Sequence, residues 1–255
     1  MIFGTSWDDV LEGGAGDDTV HGLEGNDLMK GNGGYDYMFG GAGHDVMFSG
    51  EMFMGPYDDE AATSSKEFEA NLPDDTSGGY MAGNAGHDSM YGNAGNDRME
   101  GGSGIDVLFG FAGDDWLVGG SHDDEIHGGS GYDNLYGNSG DDYIKGGDND
   151  DNIYGGAGDD YIKAGTGNDH VWGGDGDDFI FGGLARNDDD NKPDIGNVLR
   201  GGRGDDTIYG GDSSGEITWI EGNEGDDYVV GSGYQDVQKI WGGDGEDLMF
   251  GGTFN

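Results

Sequence analysis

The chain has 255 residues, among them 60 Gly, 54 Asp plus Glu against 10 Lys plus Arg, 3 Pro and no Cys, for a formal net charge of -44 and 33% apolar residues. Taken alone, such a composition cannot fill an ordinary globular core and reads as disorder. The scarcity of Lys and Arg excludes nucleic acid as a partner, and the absence of Cys excludes disulfides, thiolate metal sites and Cys nucleophiles; what the acidity favours is divalent cations.

No apolar run approaches the roughly 18 residues that span a bilayer, and the start, Met1-Ile2-Phe3-Gly4, has neither a basic region nor an apolar leader. A soluble chain without an N-terminal export signal or transmembrane segment is expected. A nine-residue period then overturns the reading of disorder. Its pattern is G-G-x-G-x-D-x-U-x, with U apolar. In chain order, rows begin at Gly4, Gly13, Gly22, Gly31 and Gly40. A break over 49–77 follows, with Pro56, Pro73 and a weakly helical stretch from Asp58 to Ala70. Rows then run without interruption from Gly83 to Phe181. Beyond a second break at 184–196, rows at Gly201, Gly222 and Gly242 are separated by short insertions at 210–215 and 231–233, giving 19 clear rows.

Column six is Asp in every row: Asp9, Asp18, Asp27, Asp36, Asp45, Asp88, Asp97, Asp106, Asp115, Asp124, Asp133, Asp142, Asp151, Asp160, Asp169, Asp178, Asp206, Asp227 and Asp247. Column eight is aliphatic or Met in every row. Column five wanders among Asp, Asn, His, Tyr, Ile and Glu, and its acids are read as solvated surface. The invariance of column six is therefore not a general demand for acidity. Before the rows at Gly83, Gly201, Gly222 and Gly242, degraded rows keep Met81, Leu199, Ile220 and Ile240 at column eight but lack Asp at column six. The nearest residues there are Gly79, Asn197, Glu216 and Asp236.

Glycines in the first four columns permit positive φ and close backbone approach, so the first six columns are expected to form a turn. The last three, such as Tyr161-Ile162-Lys163, alternate out-in-out as a very short strand. Such a strand cannot stand alone. Rows must stack in parallel, burying the U column between two sheets, as an all-β parallel β-helix or β-roll over a single domain, 1–255. One buried side chain per nine residues is a thin core, and stacking sets column-six carboxylates about 4.8 Å apart. Without cations the roll is expected to be unfolded.

Rows such as Gly155-Gly156-Ala157-Gly158-Asp159-Asp160-Tyr161-Ile162-Lys163 resemble the RTX, or haemolysin-type, calcium-binding nonapeptide. The resemblance implies a right-handed parallel β-roll with two rows per turn and Ca2+ between stacked turns. It implies that column-six Asp bridges successive ions while carbonyls of columns one to four complete the shell, as hard cations with six to eight oxygen ligands require. In well-formed rows those carbonyls belong to Gly101, Gly102, Ser103 and Gly104; Gly128, Gly129, Ser130 and Gly131; Gly137, Asn138, Ser139 and Gly140; Gly155, Gly156, Ala157 and Gly158; and Gly173, Gly174, Asp175 and Gly176. The uninterrupted rows imply about 12 or more ions, taking the charge from -44 to about -20. At the about 10⁻⁴ to 10⁻³ M affinity of extracellular calcium modules, the chain would stay unfolded in the cytosol and fold outside. Export of type I is implied, although no signal is visible after the repeats.

Two aromatic ladders follow from an 18-residue turn: Tyr143, Tyr161 and Phe179 on one face, Tyr136, Tyr154 and Trp172 on the other. They are either a contact surface for polysaccharide or another matrix component, or cross-strand pairs that stabilise a thin sheet. No catalytic motif is present, and all six His fall in variable columns of the repeat. Arg203-Gly204-Asp205 is columns three to five of an ordinary row. The expected function is a structural or secretion-linked calcium module, or an extracellular matrix or surface protein. The alternatives are a non-catalytic accessory domain of a larger secreted enzyme or toxin, and a carbohydrate-binding surface. Both ends fall inside a repeat, which predicts a slice of a longer array or end-to-end self-association.

Overall fold

The computed structural model describes residues 1–50, 76–185, 196–213, 217–231 and 237–251. Pro56, Pro73, the Asp58-to-Ala70 stretch, Glu216 and Asp236 lie outside the described residues. All regular elements among the described residues are β-strands, and none is a helix. The chain divides into two compact units, 1–130 and 131–255.

In the first unit, Ile2–Phe3, Thr19–Glu24, Asp36–Ala42, Gly79–Ala85, Arg98–Ser103 and Trp116–Ser121 form one parallel sheet. The strands Val10–Ala15, Leu28–Gly33, Val46–Phe48, Ser89–Tyr91, Val107–Ala112 and Glu125–Ser130 form the other. Successive strands alternate between the sheets, so each turn of the solenoid takes two rows, and where no insertion intervenes partners within a sheet are 18 residues apart, as in Val107↔Glu125. The second unit repeats the plan. Its first sheet holds Asn134–Ser139, Asn152–Ala157, His170–Asp175, Val198–Arg203, Ile217–Glu224 and Val237–Asp244. Its second holds Tyr143–Asp148, Tyr161–Thr166, Phe179–Phe181, Thr207–Tyr209, Tyr228–Val230 and Leu248–Phe250.

Column eight is the core of each unit, because alternation sends that one side chain of each strand inward. In the first unit Met29, Met47 and Met90 stack on one sheet, facing Met38, Met81 and Met99 on the other, all fully buried. Unbranched thioethers fill such a narrow slot without the fixed shape a branched chain imposes. In the second unit the slot is lined by Leu135, Ile144, Ile153, Ile162, Val171 and Ile180, continuing to Val229. Met249, in the last row, is 47% exposed.

The strands are longer than the three residues expected. Half of those among the described residues have six, continuing through columns one to three of the next row, as in Tyr143–Asp148. Pairing resumes beyond column one, at Gly147↔Gly165 and Asp148↔Thr166. Glycine makes this possible: Gly147 has φ of +139°, a bend in the strand that a side chain would resist. The second break also begins later than expected, since Leu184 and Ala185 still pair with Asp212 and Ser213. Register corrects two assignments. Leu199 pairs with Ile220 and Ile220 with Ile240, which puts Thr218 and Gln238, rather than Glu216 and Asp236, at column six.

Candidate metal centre

Column six lies where the turn enters the strand, and its backbone N–H has no partner in the strand ladder. The next turn supplies one: Asp9 N–H donates to Asp27 Oδ1 at 2.9 Å, Asp27 to Asp45 at 2.8 Å, and Asp88 to Asp106 at 2.8 Å. In the second unit the series runs from Asp142 to Asp160 at 2.9 Å, Asp160 to Asp178 at 2.9 Å, Asp178 to Asp206 at 2.9 Å and Asp206 to Asp227 at 3.0 Å. Each of these accepting carboxylates is thus pinned by Oδ1 to the preceding turn and has one oxygen left. Of the 19 predicted Asp, all but Asp9, Asp18 and Asp247 are buried to within a few per cent of zero exposure.

The Oδ2 atoms of Asp27, Asp45, Asp88, Asp106, Asp151, Asp160, Asp178, Asp206 and Asp227 are buried without a hydrogen-bond partner. A buried, unpaired carboxylate oxygen is among the most costly arrangements in a protein. Burial pushes these acids up: Asp45 to about 6, Asp88, Asp160 and Asp206 to about 7, and Asp178 to about 8. Asp151 is raised well above the usual carboxylate range, first by burial and then by the charges of Asp169 and Asp133. A cation beside Oδ2 would offset the penalty that burial places on each of these charged carboxylates.

Column one forms the wall of the same space. A Cβ built on Gly155 would overlap Asp160 Oδ2 and lie 2.6 Å from Gly173 O; Gly137 meets Asp142 Oδ2 and Gly155 O in the same way. Backbone and carboxylate oxygens therefore converge where only glycine leaves room. Among the described residues no three His, Asp or Glu side chains cluster as a metal group. An ion here would need carbonyls for much of its shell, and the donor set is hard oxygen, which suits Ca2+. Column-three carbonyls are partly spoken for: Ser103, Ser130, Ala157 and Asp175 each accept an N–H from column four of the previous turn, at 2.9, 2.9, 2.9 and 2.8 Å. Substituting Gly155 by Ala is expected to lower calcium affinity at that turn by tenfold or more, read by calcium titration beside the wild type.

Two predicted ligands differ from the rest. Thr5 donates its N–H, at 2.6 Å, and its hydroxyl, at 2.8 Å, to Asp9 Oδ2. Asn93 N–H donates to Asp97 Oδ2 at 2.8 Å, and Asn93 Oδ1 accepts Gly95 N–H at 2.6 Å. Column five adds a role to the solvated surface expected of it. Most of its side chains are exposed, and several cap the next turn: Asp177 N–H donates to Asp159 Oδ1 at 2.9 Å, His44 N–H to Asn26 Oδ1 at 2.8 Å, and His87 N–H to His44 Nδ1 at 2.8 Å. Asp, Asn and His share a short side-chain acceptor, which is the sequence signal for this role.

The aromatic ladders stack face on face. Tyr136 and Tyr154 are 4.9 Å apart, Tyr154 and Trp172 4.5 Å, Tyr143 and Tyr161 5.5 Å, and Tyr161 and Phe179 4.8 Å, all within 5° of parallel. Neighbouring rings cover one another's faces, and Arg200 sits over Trp172 at 5.4 Å. A sugar that packs on ring faces finds mainly edges here, whereas cross-strand stabilisation is served directly. His21 is likewise sandwiched between Phe3 and Phe39, at 4.9 and 4.8 Å.

A search of curated proteins returns no match. The family model described as RTX calcium-binding nonapeptide repeat (4 copies) matches residues 1–29, 21–51, 79–108, 100–135, 133–162, 154–188, 195–214 and 221–255. With column-six carboxylates repeated along both units and a two-row turn, the chain belongs to the RTX calcium-binding nonapeptide repeat family.

Proposed function

We propose that the column-six carboxylates and the carbonyls of the adjoining glycine turns hold about 12 or more Ca2+ ions between successive turns, and that the chain folds as it binds them. The observation that carries this reading is the repeated Oδ2 atom, buried without a hydrogen-bond partner, in Asp27, Asp88, Asp160 and their counterparts. Extracellular calcium would complete the fold and cytosolic calcium would not, which fits a secreted or surface-exposed structural module. Among the described residues no helix is long and apolar enough to cross a membrane. A non-catalytic accessory role beside a secreted enzyme or toxin domain uses the same module. Carbohydrate binding is the weaker reading, because the ladder rings cover one another. That residues 1–255 act as a single folding domain is part of the proposal, supported by the unbroken sequence register from Gly83 to Phe181.

Equilibrium dialysis at millimolar calcium, with the metal counted by atomic emission, tests the reading. About ten or more ions per chain are expected. A count of none or only a few would sink it, and size exclusion of the same sample reads whether copies associate.

A further inference from the structure

Each row that carries an insertion has also lost its column-six acid. Gly79 follows the stretch 51–75, Asn197 follows 186–195, Thr218 follows 214–216 and Gln238 follows 232–236. In the second unit all three insertions fall in turns that lead from the second sheet into the first. The acids at this edge are Asp133, Asp151 and Asp169, and the series then continues as Asn197, Thr218 and Gln238.

Asn197 shows how such a row is closed. It is fully buried, and its Oδ1 accepts Asp169 N–H at 2.8 Å, the same bond that Oδ1 of Asp160 or Asp178 makes with the preceding turn. An N–H needs an oxygen opposite it, so the amide orientation is fixed and Nδ2 must stand where the other rows place Oδ2. There it donates to Gly182 O at 2.7 Å. Gly182 is column one of the same row, and a Cβ built on it would be 3.0 Å from Asn197 Nδ2, as column-one Cβ positions elsewhere meet Asp Oδ2. In the Asp rows, two kinds of oxygen border this space and neither brings a proton. In the Asn197 row the amide brings its own, and an N–H pointing into the space repels a cation.

We propose that Asn197 replaces a calcium ion with a hydrogen bond, so that the row it closes is held without metal and the ion series at this edge of the second unit stops at Asp169. The inference rests on the calcium reading above. It gives the insertions a physical setting: a row lengthened by ten residues need not present a metal-competent turn, because its column-six residue satisfies the turn carbonyl directly. At the opposite edge Asp142, Asp160, Asp178, Asp206, Asp227 and Asp247 continue without a neutral residue.

Calcium per chain, counted by equilibrium dialysis for the full chain and two variants, tests the proposal. Asn197→Asp is expected to bind at least one more ion than the wild type and to fold at a higher calcium midpoint. Asn197→Ala is expected to bind the same number of ions as the wild type, with a lower thermal midpoint at saturating calcium. An unchanged count in folded Asn197→Asp overturns the proposal. So does the loss of an ion in Asn197→Ala, which would make Asn197 a ligand, and this arm stands even where Asn197→Asp does not fold. A wild type that binds no calcium overturns the underlying reading instead, so the two failures are distinguishable.

Discussion

Chelating calcium with EDTA is expected to abolish the β-sheet signal of the chain, and returning millimolar Ca2+ to restore it. The cause lies in two features that reinforce each other. The core of each unit is only two facing files of column-eight side chains, such as Ile144 and Ile162 opposite Ile153, one per nine residues. Folding also buries one carboxylate per row, with its Oδ2 unpaired in rows such as those of Asp160, Asp178 and Asp206. Hydrophobic burial that thin cannot offset the ordering of the backbone together with the desolvation of a charge in each turn. Each occupied site contributes by mass action, about 2.7 kcal/mol when calcium is a hundredfold above its dissociation constant. Over about 12 sites this sums to on the order of 30 kcal/mol, which is large beside the net stability of an ordinary domain. Mg2+ is expected to substitute poorly, because it demands a smaller octahedral shell and gives up water reluctantly. Far-UV circular dichroism in EDTA, in Ca2+ and in Mg2+ reads the outcome. A spectrum in EDTA equal to that in calcium would contradict the account.

Most of this was legible because a solenoid writes its architecture into columns. The fixed Asp of column six and the apolar residue of column eight point to stacked parallel rows, to the buried column and to the carboxylates proposed as ligands, while the two-row turn came with the family resemblance. What the columns could not show is where one residue does two things. Columns one to three pair as strand although they are built of glycine, since a parallel ladder needs backbone groups and not side chains; nothing in Gly146-Gly147-Asp148 announces it. Register across the insertions was also hidden, because the nearest acid, Glu216 or Asp236, looked like the natural occupant of column six. Counting back from Ile220 and Ile240 through strand pairing gives Thr218 and Gln238 instead. The roles of Thr5 and Asn93, in a column otherwise mostly glycine, depend on an N–H meeting Asp9 or Asp97, which is a fact of geometry alone.

Acid is expected to act in opposite directions on the calcium-free and the calcium-loaded chain. In the unfolded chain Asp titrates near 3.8, while burial in the metal-free fold raises Asp45 to about 6, Asp88, Asp160 and Asp206 to about 7 and Asp178 to about 8. The folded form therefore binds more protons than the unfolded one between pH 3.8 and 8. Its stability is greatest below the lower value and is lost as pH rises toward the upper ones. One carboxylate raised from 3.8 to about 7 opposes the ionised metal-free fold by on the order of 4 kcal/mol at neutral pH, and a large part of that returns on going to pH 5. In EDTA, the chain should thus gain β structure as pH falls from 8 to 5, a range that stays clear of the isoelectric point near 4.1. With calcium present, the same protons compete with the metal for Oδ2, so ions are released over the same interval and the apparent calcium midpoint rises. Circular dichroism in EDTA at pH 8 and pH 5, paired with calcium counts at both, separates the two effects. A metal-free chain more ordered at pH 8 than at pH 5 would show that the buried carboxylates do not govern folding. The opposed slopes arise from one atom, the Oδ2 of rows such as those of Asp88, Asp160 and Asp178, which must hold either a proton or a cation to remain inside the turn.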